Sequence, residues 1–258
     1  MKILRGALAA ALGMLLPLPA IAADRAATGD DVAIDWVISR ESIDTSSVEN
    51  EFVHQAKWDF KVVPDRLFLV VVDVVAEDGR KLAAKGQEFY SARGKTIIAC
   101  TIEKGGSKAH LSARSNICVE DIDLDGKFDR AFSGKYRKDL QAVSLQDEIA
   151  IQPIRLQKAE PASASKVIDG RLWATAAIDH EVRLEFFVGK GPFMKWCDIP
   201  GGKEPGKAPV AFECGLPGLR IAIEDPSADR KARRLTINVP DKPVAIVFER
   251  TSVYFAAY

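Results

Sequence analysis

This chain predicts a mainly β fold, an antiparallel β-sandwich or barrel-like architecture built around an internally duplicated, disulfide-clamped β unit. Three observations predict it. The apolar segments are short and rich in β-branched residues. Turn signals such as Asp78-Gly79, Asp225-Pro226 and Pro240-Asp241 separate them. A cysteine-bearing pattern, E-F-[FY]…G…C-x-I…GG…C, is written twice.

In chain order, residues 1–22 read as an export signal rather than as structure. Lys2 and Arg5 form a basic start, Gly6 to Leu18 an apolar run, and Ala20-Ile21-Ala22 the small-x-small pattern that signal peptidase cuts after. The mature chain is expected to begin at Ala23 or Asp24, in the periplasm or outside the cell. Its 34 basic residues against 36 acidic ones leave a charge of about −2. With no positive excess to neutralise phosphates, no nucleic-acid partner is expected. Beyond the signal the longest apolar stretch, Leu67 to Val72, falls far short of a spanning helix, so no transmembrane span is expected in the mature chain.

The strands follow from the same pattern. Leu67 to Val75 opens the series, and Leu67 to Val72, apolar on both faces, predicts a central strand covered on both sides. Thr96 to Ile102 and Ile149 to Ile154 come next, then Leu219 to Glu224, Leu235 to Val239 and Val244 to Glu249. Strict alternation in Leu219 to Ile223 and in Leu235 to Val239 predicts strands with one buried face. Between the halves, Lys158 to Lys166 has linker composition, with Pro161 and small polar residues but no apolar period. The plan is therefore a β-rich half over 24–157, a linker over 158–166 and a second β-rich half over 167–258, with a single domain of two pseudo-symmetric sheets as the alternative.

Cys100, Cys118, Cys197 and Cys214 form an even set in a chain addressed to an oxidising compartment, where thiols pair. Glu88-Phe89-Tyr90 and Glu185-Phe186-Phe187 lie 97 residues apart, as do Gly94 and Gly191, Cys100 and Cys197, and Ile102 and Ile199. Gly105-Gly106 then matches Gly201-Gly202, and Cys118 matches Cys214, at an offset of 96. Asp78-Gly79-Arg80 and Asp169-Gly170-Arg171 are a looser upstream match. Two local staples are the favoured pairing, Cys100 with Cys118 and Cys197 with Cys214, while cross-pairing between the units stays open.

One segment carries metal chemistry. Asp121-Ile-Asp123-Leu-Asp125-Gly126-Lys-Phe-Asp129 spells D-x-D-x-D-G-x-x-D. Alternate carboxylates in a tight loop, with Gly for the sharp turn, collect the many oxygens that a hard cation such as calcium needs. Over these nine residues the loop resembles the calcium loops of integrin-type propeller repeats, thrombospondin type 3 repeats and dockerins. That resemblance implies side-chain ligands at Asp121, Asp123, Asp125 and Asp129, the Lys127 carbonyl as a further ligand, and calcium as a structural cofactor. Two departures stand. Phe132 occupies the place of the bidentate Glu of an EF-hand, and Leu124 sits where such loops carry Gly or Asn. The alternative is a solvated hairpin with Asp125-Gly126 as a two-residue turn, leaving nearby Arg130 to offset the carboxylates.

Catalytic motifs fail by comparison. Gly94-Lys95-Thr96 lacks the earlier Gly of a phosphate loop, Ser163-Ala-Ser-Lys166 lacks a K-T-G partner, and His54, His110 and His180 are dispersed. Trp36, Trp58, Trp173 and Trp196 read as core or rim packing, or as a ligand groove. The expected function is an exported, non-catalytic binding or envelope-associated protein, its partner an unknown protein or envelope component. The alternative is an exported hydrolase with carboxylates assembled from both halves.

Overall fold

The computed structural model describes residues 26–38, 49–52, 55–102, 115–138, 140–176, 182–189, 194–199, 210–213, 220–224, 233–238, 243–248 and 253–257. For residues 49–56, 174–184 and 186 and the strands beyond 190 other than the one at 244–248, the description is of the backbone. The segment 1–22, the three histidines, Cys214 and the Cys197 side chain lie outside it.

Strands make up most of the described chain. They begin with β1 (Asp31–Ala33), β2 (Trp36–Ile38), β3 (Glu49–Phe52), β4 (Gln55–Pro64), β5 (Leu67–Val70), β6 (Val74–Val75) and β7 (Lys81–Ala83). Next come β8 (Glu88–Ala92), β9 (Ile97–Cys100), β10 (Asn116–Asp121), β11 (Phe128–Arg137), β12 (Ala142–Ile154) and β13 (Leu156–Ala159). The remainder are β14 (Ile168–Ala176), β15 (Val182–Val188), β16 (Met194–Ile199), β17 (Val210–Glu213), β18 (Arg220–Glu224), β19 (Arg233–Asn238), β20 (Val244–Phe248) and β21 (Val253–Ala257). No helix among the described residues is long and apolar enough to cross a membrane.

The ladders are antiparallel. An eight-stranded sheet runs β1-β12-β11-β10-β9-β8-β5-β13, and a seven-stranded sheet runs β16-β15-β14-β4-β2-β20-β21. β17-β18-β19-β3 form a third sheet, and β6 and β7 a small hairpin. The first sheet curls into a half-barrel for a reason visible in the chain path. β12 sets Ile154 opposite Phe128 of β11, and only Arg155 separates it from β13, which sets Leu156 opposite Val70 of β5.

Alternation gives this sheet two buried faces. Phe89, Ala99, Ile117, Val119, Phe128 and Ala131 join Phe68 and Val70 in one core. Their neighbours Tyr90, Ile98, Cys100, Cys118 and Phe132 point the other way, into a core shared with Trp36, Trp58, Phe60, Leu172 and Ile246 of the seven-stranded sheet. Each fully buried ring such as Phe89 or Phe132 stabilises the fold by about 1.5–3 kcal/mol.

β5 is covered on both sides as expected, but it is shorter than the apolar run. Its partner strands stop at Glu88 and Leu156, so the chain turns out at Val71 and Val72, and Val72 is 63% exposed. Of the segment 158–166, Lys158 and Ala159 close β13, Pro161 to Ser163 form one helical turn, and Ser165 donates from its backbone and its hydroxyl to the Glu88 carboxylate.

Cys100 lies directly opposite Cys118, and the two form a disulfide with no exposed surface. The matched segments of the sequence repeat fall on paired strands, β8 with β9 and β15 with β16, yet in different registers. Tyr90 faces Cys100, whereas its counterpart Phe187 faces Met194, and Cys197 faces Leu184. Asp78-Gly79-Arg80 lies at a turn, and Asp169-Gly170-Arg171 inside β14.

Candidate metal centre

The acidic loop connects two strands whose ends are fixed by burial. On β10, Ile117, Val119 and Asp121 share one face of the sheet, and Cys118 and Glu120 the other. Across the loop, Phe128 is buried and meets Phe68 edge-on at 5.8 Å. Apolar packing therefore holds both roots of the loop and draws Asp121 into the fold behind Val119.

Between these roots the chain does not make a two-residue turn. Such a turn at Asp125-Gly126 would set Asp121 opposite Arg130. Glu120 lies there instead, and residues 122–127 form an open loop. Two residues take left-handed backbone angles, Leu124 at φ 63° and Gly126 at φ 85°. For Gly126 that conformation is free of steric penalty, while Leu124 bears one and leaves its side chain 59% exposed.

These angles turn the loop amides inward. The Gly126 N–H donates to Asp121 Oδ2 at 2.9 Å, and the Ile122 N–H to Asp129 Oδ2 at 3.0 Å. The Asp125 N–H donates to Asp123 Oδ1 at 3.2 Å. One carboxylate oxygen from each of Asp121, Asp123 and Asp129 then lies within 4.8 Å of the others. Two oxygens on opposite sides of a calcium ion, each 2.3–2.6 Å from it, stand about 5 Å apart, so the cluster has the dimensions of such a site.

Asp121 is the unusual member. It is 0% exposed, and with Oδ2 held by Gly126 its Oδ1 is buried with no hydrogen-bond partner. A buried carboxylate oxygen without a donor carries a large desolvation penalty. Burial accordingly pushes the Asp121 carboxyl above the usual range; the Gly126 and Leu124 amides pull it back, and the Asp129 and Asp123 charges add to the rise.

Asp125 stands apart from the three. It accepts from the Lys127 amide at 2.7 Å and pairs with the Lys127 ammonium at 3.0 Å, contacts that hold its carboxyl below the usual range. Of the five residues expected at the site, the fold gathers Asp121, Asp123 and Asp129, and leaves Asp125 and the Lys127 side chain paired with each other.

Arg130 does not offset the loop carboxylates. It lies on the opposite face of the hairpin, donating from Nε to the fully buried Glu120 at 2.7 Å, with Nη2 ion-paired to the same carboxylate at 2.7 Å, Glu148 at 3.4 Å and the Phe132 ring beneath its guanidinium at 4.9 Å. Glu120 Oε1 also accepts from the Thr96 hydroxyl at 2.5 Å and the Ala26 N–H at 3.2 Å, and Arg130 donates to the Ala26 carbonyl at 2.6 Å. Sequence reading missed this clamp. Its one signal is an acidic residue at an inward position of a strand that otherwise reads as core.

The aromatic candidates divide. Trp36 and Trp58 are core residues, Trp173 packs on Phe187 at 5.2 Å beside Arg171, and the Trp196 side chain lies outside the described residues. Comparison with family models, with curated proteins and with solved structures finds no match to this chain.

Proposed function

We propose that this is an exported, non-catalytic β-rich protein, a binding or envelope-associated module, whose 121–129 loop holds one structural calcium ion. The observation that carries the metal is the buried, partnerless Oδ1 of Asp121 within a group of three converging carboxylates. A divalent cation supplies the missing partner and cancels most of the mutual repulsion. Asp121, Asp123 and Asp129 are its side-chain ligands, the Lys127 carbonyl a backbone one, and Asp125 joins only after leaving Lys127.

Export is supported by the basic, apolar and small-residue succession of residues 1–22 together with the buried Cys100–Cys118 disulfide. The shared E-F-[FY] and cysteine pattern of the β8–β9 and β15–β16 hairpins supports a duplication whose strand registers have since diverged. The three converging carboxylates come from a single hairpin rather than from both halves, which favours a structural metal over the hydrolase alternative.

Thermal unfolding of the mature, oxidised protein in calcium and then in a chelator tests the reading. The expected result is a calcium-dependent rise in Tm that Asp123→Ala abolishes. Identical curves in calcium and chelator overturn it.

A further inference from the structure

The last pair of the β10–β11 ladder, Glu120 opposite Arg130, stands between two features that no motif connects. On one side, the next residue of each strand, Asp121 and Asp129, is a member of the carboxylate cluster. On the other side, the same pair grips both backbone groups of Ala26, its N–H through Glu120 and its carbonyl through Arg130. The arm to which Ala26 belongs is then tied back on itself and onto β12. The Ala27 N–H donates to Asp30 Oδ2 at 2.8 Å, the Gly29 N–H to the Leu145 carbonyl at 2.9 Å, and the Leu145 N–H to the Asp30 carbonyl at 2.8 Å.

We infer that metal occupancy of the acidic loop and docking of the amino-terminal arm, residues 26–30, are coupled through this one hairpin. The inference rests on the calcium reading above and names what the ion controls. Without a cation, three carboxylates across the hairpin mouth repel one another and favour separation of the strand ends at Asp121 and Asp129. Separation there loosens the Glu120–Arg130 pair one residue further in, and with it the grip on Ala26. A cation shared by Asp121, Asp123 and Asp129 closes the mouth and holds the pair in register.

Thr96 and Glu148 are the other side chains hydrogen-bonded to this pair. The Thr96 hydroxyl donates to Glu120 from the segment before β9, and Glu148 meets Arg130 from β12. Neither touches the loop carboxylates, so the route from metal to arm runs along β10 and β11. Linkage makes the coupling reciprocal: whatever factor calcium adds to arm docking, the docked arm adds to calcium affinity.

The test uses the full mature chain and calcium itself. Calorimetry measures calcium affinity in the wild type and in Ala26→Pro, which removes the N–H given to Glu120 and fixes the backbone angle of the arm at that residue. Amide exchange at Ala26 is followed in calcium and in chelator. The expected result is about a tenfold weaker calcium affinity in the variant and about tenfold slower Ala26 exchange with calcium in the wild type, a coupling of ordinary size. If the wild type binds no calcium, the metal reading falls and this inference with it. If it binds but Ala26→Pro keeps full affinity and Ala26 exchange ignores calcium, the coupling alone is overturned. A change in one measurement without the other breaks reciprocity and also overturns it.

Discussion

Replacing Asp121 by Asn should change stability in opposite directions with and without calcium. The asparagine oxygen still accepts from Gly126, while its amide group offers donors where Asp121 Oδ1 has none. Without calcium the variant loses two carboxylate repulsions, with Asp123 and with Asp129, at oxygen separations within 4.8 Å. Each amounts to about 1 kcal/mol in water-like surroundings, so the chelated variant is more stable than the chelated wild type by about 2 kcal/mol. For a chain of this size that is a rise in Tm of about 4–8 °C. In calcium at about one hundred times its Kd, the wild type gains about 2.7 kcal/mol by mass action, which a variant short of a ligand charge forgoes. The order of the two proteins therefore inverts on adding calcium, and differential scanning calorimetry in the two buffers reads it. A variant less stable than wild type in both buffers, by the same margin, refutes the reasoning.

Further outcomes follow from neighbouring features. Replacing Cys100 and Cys118 together by Ala removes a cross-link of sequence separation 18, and chemical denaturation should show a loss of about 3 kcal/mol. Gly170 lies opposite Phe60, and a Cβ there would meet the Phe60 ring at 2.1 Å, so Gly170→Ala should destabilise by about 1–3 kcal/mol in the same assay. Burial raises the Asp35 carboxyl above its ordinary value despite Arg93 beside it. A raised acid contributes stability at low pH that is lost as pH rises through its folded value, so wild type should weaken relative to Asp35→Asn across the carboxylate range in a pH series of denaturation curves. Glu120→Gln takes the buried charge partner from Arg130 and should destabilise by about 3 kcal/mol in chelator.

Much of this fold was legible because strands announce themselves locally. The alternation in 219–223 and 235–239 and the continuous run from Leu67 became β18, β19 and β5, since the period of side chains and the burial of faces are properties of a few adjacent residues. The Cys100–Cys118 staple was legible from an even count and a short separation. Closure of the half-barrel was not, because it depends on Arg155 letting one long strand change partners between β11 and β5. At the site, the spacing of aspartates identified the loop, and Leu124, standing where such loops carry Gly or Asn, has the left-handed angle those residues favour. The departure of Asp125 to Lys127 and of Arg130 to Glu120 was not foreseen. Charge balance counts residues on both faces of a hairpin alike, whereas the pleat sends neighbours to opposite sides.

The path of the chain through the two large sheets bears on the order in which they are assembled. Every strand of the eight-stranded sheet lies between Asp31 and Ala159, and its pairings join segments that emerge early. In the seven-stranded sheet, β2 sits between β4 and β20, and Trp36 faces Ile246, 210 residues away. A chain delivered from its amino terminus can complete the half-barrel while β2 still waits for its second neighbour. During that interval the apolar side chains of Trp36 and Ile38 lack the cover that the carboxy-terminal strands supply, and folding during synthesis should show the half-barrel formed before the long-range pairing of β2 with β20.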